Sequence, residues 1–128
     1  MTLPEDKRVR LCIAGSREYA HPDFVRYYVW AMKPFISVLI NGMCPRGVDL
    51  WAREAALLHE IPVEEHPADW NQHGKAAGPR RNTRMVYQAD AVVAFWDTKS
   101  PGTMNIIGTA REQRKLRAVY GAQMEALL

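Results

Sequence analysis

Three observations predict an α/β protein with helices on both faces of a mainly parallel five-stranded sheet. Short apolar runs of strand length alternate with longer segments whose apolar residues keep helical spacing. The first two runs end in turn formers, Gly15-Ser16 and Asn41-Gly42. Strands that alternate with helices pair in parallel through right-handed crossovers, which lays helices on both sides of the sheet. The expected product is a Rossmann-like three-layer sandwich of strand order 3-2-1-4-5, with residues 1–128 as one domain.

Each element has its own signal. Val9-Arg10-Leu11-Cys12-Ile13-Ala14 reads as a buried strand, and Val38-Leu39-Ile40 repeats the pattern. A weaker third strand is Pro62 to His66, a fourth is Ala91 to Trp96, and a fifth lies around Arg117 to Tyr120. From Asp23 to Met32 the residues Phe24, Val25, Tyr28, Val29 and Met32 keep one helical face until Pro34 ends the segment. Further helices are expected over about Leu50 to Glu60, about Pro79 to Ala89, and Thr103 to about Lys115.

A chain of 128 residues, 48% apolar and 24% charged, buries a core without staples. It has no run near the roughly 20 apolar residues of a membrane span, so no membrane partner is expected. The segment Met1 to Arg8 lacks the apolar centre of a secretory signal, which predicts a cytoplasmic location. Cys12 and Cys44 are too few for a disulfide framework and read as free thiols. A net charge of +3 permits a phosphate-bearing ligand but falls short of a nucleic-acid-binding signature. Aromatic residues on the helices, Tyr27 and Trp30, are compatible with a homo-oligomer.

In sheets of this kind ligands sit beyond the carboxyl ends of the strands, near the point where strand order reverses. That rule selects the loops Gly15 to His21, Asn41 to Asp49, His66 to Gly78 and Asp97 to Thr103. Within them lie Gly15-Ser16-Arg17-Glu18-Tyr19, Gly42-Met43-Cys44-Pro45-Arg46-Gly47-Val48-Asp49, Pro67-Ala68-Asp69-Trp70, and Gly74 to Pro79 leading to Arg81, Asn82 and Met85. With Ala94-Phe95-Trp96-Asp97 and Ser100-Pro101-Gly102-Thr103, these motifs resemble the YspA/YpsA-related branch of the SLOG superfamily over most of the chain.

The resemblance implies a Rossmann-like fold and an association with nucleotides or nucleotide-derived ligands. The superfamily also contains the cytokinin-activating phosphoribohydrolases and the DNA-processing protein DprA, and it too points toward a homo-oligomer. Its nucleotide-hydrolysing members carry Gly-Thr-x-x-Glu, whose glutamate works on the N-glycosidic bond. Here Gly102-Thr103-Met104-Asn105 is followed by Ile106. An apolar side chain neither orients water nor stabilises an oxocarbenium-like centre. Their arginine has a counterpart in Arg81 or Arg84, and Asp97 or Asp69 remains as a substitute carboxylate from another loop.

The residues themselves give two readings at each position. Gly102 and Thr103 offer N–H groups and a hydroxyl to a phosphate at a helix start, or Thr103 is a plain cap. Gly15, Ser16 and Arg17 form an anion clamp or a tight strand-helix turn. Asp49, after Arg46 and Gly47, is an N-cap or an acceptor for a ribose hydroxyl or base amine. Arg80 and Arg81 open a predicted helix on cations, against the dipole preference, which suggests an anion pocket that Arg81 and Asn82 share with Ser100. Trp70, Trp96 and Tyr19 are candidates for stacking on a base or for the core. His66, Asp69 and His73 match no familiar zinc spacing, so no metal is expected and no cofactor is required.

The favoured reading is therefore a binding module for a nucleotide or nucleotide-derived ligand. A phosphoribohydrolase-like enzyme and a DprA-like single-stranded nucleic-acid binder are its rivals.

Overall fold

The computed structural model describes residues 3–128; Met1 and Thr2, at the head of the segment read as lacking a secretory signal, lie outside it. Five strands, β1 (Val9–Gly15), β2 (Ile36–Asn41), β3 (Val63–Glu65), β4 (Ala91–Phe95) and β5 (Leu116–Tyr120), form one parallel sheet in the order β3-β2-β1-β4-β5. The switch in strand order falls between β1 and β4, where Gly15 pairs with Phe95. Five α-helices accompany the strands: α1 (Pro22–Met32), α2 (Val48–Leu58), α3 (Trp70–His73), α4 (Ala77–Gln88) and α5 (Pro101–Glu112). None of the described helices is long and apolar enough to cross a membrane.

The two sides of the sheet are packed differently. Under α1 and α2 lies an aromatic cluster in which Phe95, fully buried, meets Tyr19, Phe24, Tyr28 and Tyr120 at ring-centroid distances of 5.3–5.8 Å. Under α4 and α5 the core is built from smaller residues, Cys12, Ala14, Ala89 and Ala110, with Met85, Val86 and Ile106. Burial pushes the Cys12 thiol far above its ordinary range, so it is an inert core group.

Several helix starts differ from the sequence expectation. Gly47, at φ +75°, occupies the N-cap of α2, so Asp49 stands inside the first turn and does not cap it. Ser100 is the N-cap of α5 and Pro101 its first residue, which moves Thr103 from cap to third helical position. The α4 helix begins at Ala77, after a 3-10 turn over Gly74–Ala76, so Arg80 and Arg81 lie a full turn inside it. Pro79 falls within the first turn, where N–H groups have no intrahelical acceptor and proline costs little. The cations therefore do not oppose the helix dipole.

Two further features escape the periodicity of the sequence. Asp69 accepts from the Gln72 N–H and caps the four-residue helix α3 inside the expected loop. Beyond β5 the chain turns at Gly121, and the Leu127 N–H returns to the Val119 carbonyl, so the tail pairs antiparallel with the edge of the sheet.

Candidate functional site

The loops after β1, β2 and β4, with α3 and the start of α4, enclose a cavity of about 1170 Å³ at the switch point. Its apolar floor is Ala14, Met85 and Ile106, all from the face of small side chains. Gly15 admits the approach that closes the site. A Cβ there would strike the Phe95 carbonyl oxygen and lie 2.6 Å from Val48 Cγ2, so β4 and α2 could not both pack against it.

One wall is the start of α5. The Gly102 and Thr103 N–H groups receive no side-chain cap, and Pro101 contributes no N–H. Behind them runs a chain of hydroxyls. Ser16 Oγ accepts from the Asp97 N–H at 3.1 Å, and sits 3.2 Å from Thr103 Oγ1, which donates to Ser100 Oγ at 3.2 Å. With Ser16 donating to Thr103 and Thr103 donating to Ser100, the Ser100 proton is left to face the cavity. Arg17 and Lys99, both exposed on the lining, carry no ion pair among the described residues, whereas Arg46 pairs with Glu18 at 2.8 Å on the surface.

The opposite wall joins α2 to α4. Arg81 donates through Nη1 to the Gly42 carbonyl and through Nε to Asn82 Oδ1 at 2.9 Å. Asn82 in turn donates to the Gly102 carbonyl at 3.2 Å and to Asn105 Oδ1 at 3.0 Å, which ties α4 to the start of α5. Asp49, 7% exposed, accepts the Cys44 N–H at Oδ2. Burial raises its pKa above the usual carboxylate range, although that hydrogen bond and the charges of Arg81, Arg53 and Arg17 act the other way. Asp97 moves in the opposite direction. Partial burial would raise its pKa, but the Lys99 and Ser100 N–H groups bonded to Oδ1 outweigh that and hold it below its ordinary value.

Of the residues singled out in the sequence, Gly15, Arg17, Arg46, Asp49, Trp70, Arg81, Asn82, Ser100, Gly102 and Thr103 line this cavity, as does Asp97. Ser16 and Gly47 lie just behind the lining and shape it: Ser16 through its hydroxyl, Gly47 because a Cβ would collide with the Arg17 backbone. Tyr19 is elsewhere. It is 3% exposed in the aromatic core, gives its hydroxyl to the Gly121 carbonyl, and burial raises its pKa to about 12. Asp69 is spent on capping α3 and borders a separate small hollow with His66, His73 and Arg84. Arg84 reaches the Pro67 carbonyl there, so Arg81 alone of the helical arginines belongs to the main cavity.

Trp96 donates its indole N–H to the Ser100 carbonyl and packs beside Ile107 and Val119. Trp70, 54% exposed, lies over Gly78 at the cavity rim, where a Cβ would come within 3.3 Å of its ring. Missed by the sequence reading were Asn105, which completes the Asn82 network, and Ala122, carried to the rim by the C-terminal turn. An amide three residues after Gly102 on the predicted α5 face was the available signal for Asn105; Ala122 had none. Among the described residues no group of three or more His, Cys, Asp or Glu side chains is arranged to hold a metal ion.

Ile106 is 1% exposed and packed in the floor. The cavity can thus grip an anion with backbone and hydroxyl donors, and its floor offers no carboxylate where the Gly-Thr-x-x-Glu motif would supply one.

Residues 9–73 match the family model described as YAcAr, the YspA, cpYpsA-related SLOG family. The chain is similar to the Gene 61 protein of Mycobacterium phage D29, at 31% identity over 115 residues that cover 80% of this chain and 89% of that protein. In structure it is similar to DNA processing protein A from Streptococcus pneumoniae, with a TM-score of 0.72, 16% identity, and coverage of 91% of this chain and 51% of the other. It is also similar to DNA processing protein A from Helicobacter pylori, a protein with a described single-stranded DNA binding mode, with a TM-score of 0.66, 19% identity, and coverage of 91% and 66%. At these identities the structural likeness is one of fold, and the chain spans between half and two thirds of those two proteins.

Proposed function

The chain belongs to the YspA, cpYpsA-related SLOG family, and from that premise we propose that it binds a phosphate-bearing nucleotide or nucleotide derivative without cleaving it. One observation carries the reading. The α5 helix begins with two uncapped N–H groups, beside the Ser16, Thr103 and Ser100 hydroxyls, on a cavity bordered by Arg17 and Lys99, cations that carry no ion pair among the described residues. Helix-start N–H groups with hydroxyl donors and nearby cations are the chemistry that holds a phosphate. Gly102 suits close contact, because a Cβ on it would meet nothing within 4 Å and so would project into open space.

The absence of turnover rests on carboxylate chemistry. Asp97 is held ionised by two backbone N–H groups and makes a poor proton donor, while Ile106 fills the place of the hydrolytic glutamate. The test is a thermal-shift and calorimetry panel of inorganic phosphate, mononucleotides, cyclic nucleotides and dinucleotides, with product analysis of each hit. Ligand at 100 times its Kd stabilises a protein by about 2.7 kcal/mol. Release of free base would overturn the non-catalytic reading; a panel with no binder would overturn the phosphate site.

Single-stranded DNA is the second reading, favoured by the fold shared with the Helicobacter pylori protein. It predicts oligonucleotide affinity that falls steeply with salt, as phosphate contacts release counterions. A single mononucleotide site predicts a shallow salt slope and no gain with oligonucleotide length.

A further inference from the structure

Across the cavity from α5, Asp49 and Arg81 flank Gly42 without forming an ion pair. A Cβ built on Gly42 would lie 2.8 Å from Asp49 Oδ2 and 2.9 Å from Arg81 Nη1, yet no nitrogen of Arg81 comes within the 4.0 Å of a salt bridge. Gly42 has no positive φ, so its backbone does not demand glycine; the missing side chain makes room for the two charged groups. Asp49 is more than nine-tenths buried and lines the cavity. Its Oδ2 accepts one N–H, whereas Oδ1 has no partner among the described residues. Arg81 is likewise fixed on one edge by Gly42 and Asn82, leaving Nη2 without an acceptor among the described residues.

That oxygen is not sealed in the core but open to the cavity, where a bound group can supply the donor it lacks. An acceptor beside a donor, both held rigid, selects a ligand that carries the complementary pair. We propose that Asp49 and Arg81 form a specificity subsite for the non-phosphate end of the ligand. There Asp49 Oδ1 accepts from an O–H or N–H of the nucleoside and Arg81 Nη2 donates to the acceptor next to it. This inference rests on the phosphate reading for α5, which supplies the other end. Two parts of a nucleotide carry that chemistry: the vicinal hydroxyls of ribose, and the amino or ring N–H edge of a base.

The experiment measures binding of inorganic phosphate, ribose 5-phosphate, the four ribonucleoside 5′-monophosphates and their 2′-deoxy counterparts, to the wild type, Asp49→Asn and Gly42→Ala. The tightest-binding nucleotide is expected to lose tenfold or more with Asp49→Asn, while inorganic phosphate binds all three proteins alike. Gly42→Ala keeps both charged groups and is expected to weaken the same nucleotide by spreading them apart. If the donor is a ribose hydroxyl, the 2′-deoxy ligand loses the same factor on the wild type and is insensitive to Asp49→Asn. If it is a base edge, the sensitivity follows the base and survives 2′-deoxygenation.

Nucleotide affinities unchanged by both substitutions, with phosphate still bound, would overturn this subsite and leave the phosphate reading standing. Losses of equal size for inorganic phosphate and nucleotide would also overturn it, because they would mean a general disturbance of the cavity. Failure of every phosphorylated probe on the wild type would overturn both.

Discussion

The two faces of the sheet do different work with different side chains. Under α1 and α2 four aromatic rings close around Phe95; under α4 and α5 the residues are small, and the space they leave at the strand ends becomes the site. Large rings bury much area per residue and stabilise the fold. Small residues cost stability but admit a ligand. The difference suggests that stability and binding in this protein are separable by face.

The largest expected effect comes from the aromatic face. Phe95→Ala should cost about 3–5 kcal/mol by chemical denaturation, with the folded fraction still binding ligand. Ala14→Leu on the other face should invert that pattern, abolishing binding by filling the cavity floor at a smaller stability cost. Equal destabilisation by the two would break the comparison. Next in size is Thr103→Val, which cuts the hydroxyl chain between Ser16 and Ser100 and should cost about 1–2 kcal/mol along with phosphate affinity.

Asp49→Asn sharpens the contrast, since it should raise stability while lowering affinity. The folded pKa of Asp49 lies above its unfolded value. The native state therefore holds the proton longer, and this residue's contribution to stability declines as pH rises through the window between the two values. Denaturation midpoints of the variant and wild type should accordingly diverge from acid toward neutral pH, the variant being the more stable at pH 7. Smallest of all is Arg80→Ala, exposed and outside the cavity, which should change stability by no more than about 0.5 kcal/mol and leave binding unchanged, against a clear loss for Arg81→Ala.

The sheet was legible in the sequence because its signal is local. Runs such as Ala91 to Phe95 are apolar along their whole length, as a strand covered on both sides must be, and turn formers mark their ends. The switch point then followed from topology, and with it the loops that carry Gly15, Asp49 and Gly102. What local pattern could not deliver was orientation. Tyr19 and Arg17 are two residues apart in one loop, yet Tyr19 turns into the aromatic core and Arg17 toward the cavity.

The same holds for Arg81 and Arg84, which neighbour each other on a helix but reach different loops, Arg81 the Gly42 carbonyl after β2 and Arg84 the Pro67 carbonyl after β3. The reading of cations at a helix start failed by a few residues, because nothing in Gly74 to Gly78 announces that α4 begins at Ala77. That shift changes the chemistry: Arg81 is a strut to β2, with one edge left over for the cavity.

Gly47 carries a last consequence, for how such a protein can be diversified. Its missing Cβ seats the β2–α2 loop directly on the backbone of Arg17 and Ser16 in the β1–α1 loop, and the Val48 N–H reaches the Ser16 carbonyl at 3.4 Å. The two loops are one interlocked piece, although they are far apart in the chain. Grafting either alone from a relative would misfit the other, so a library aimed at new ligands has to exchange them as a pair.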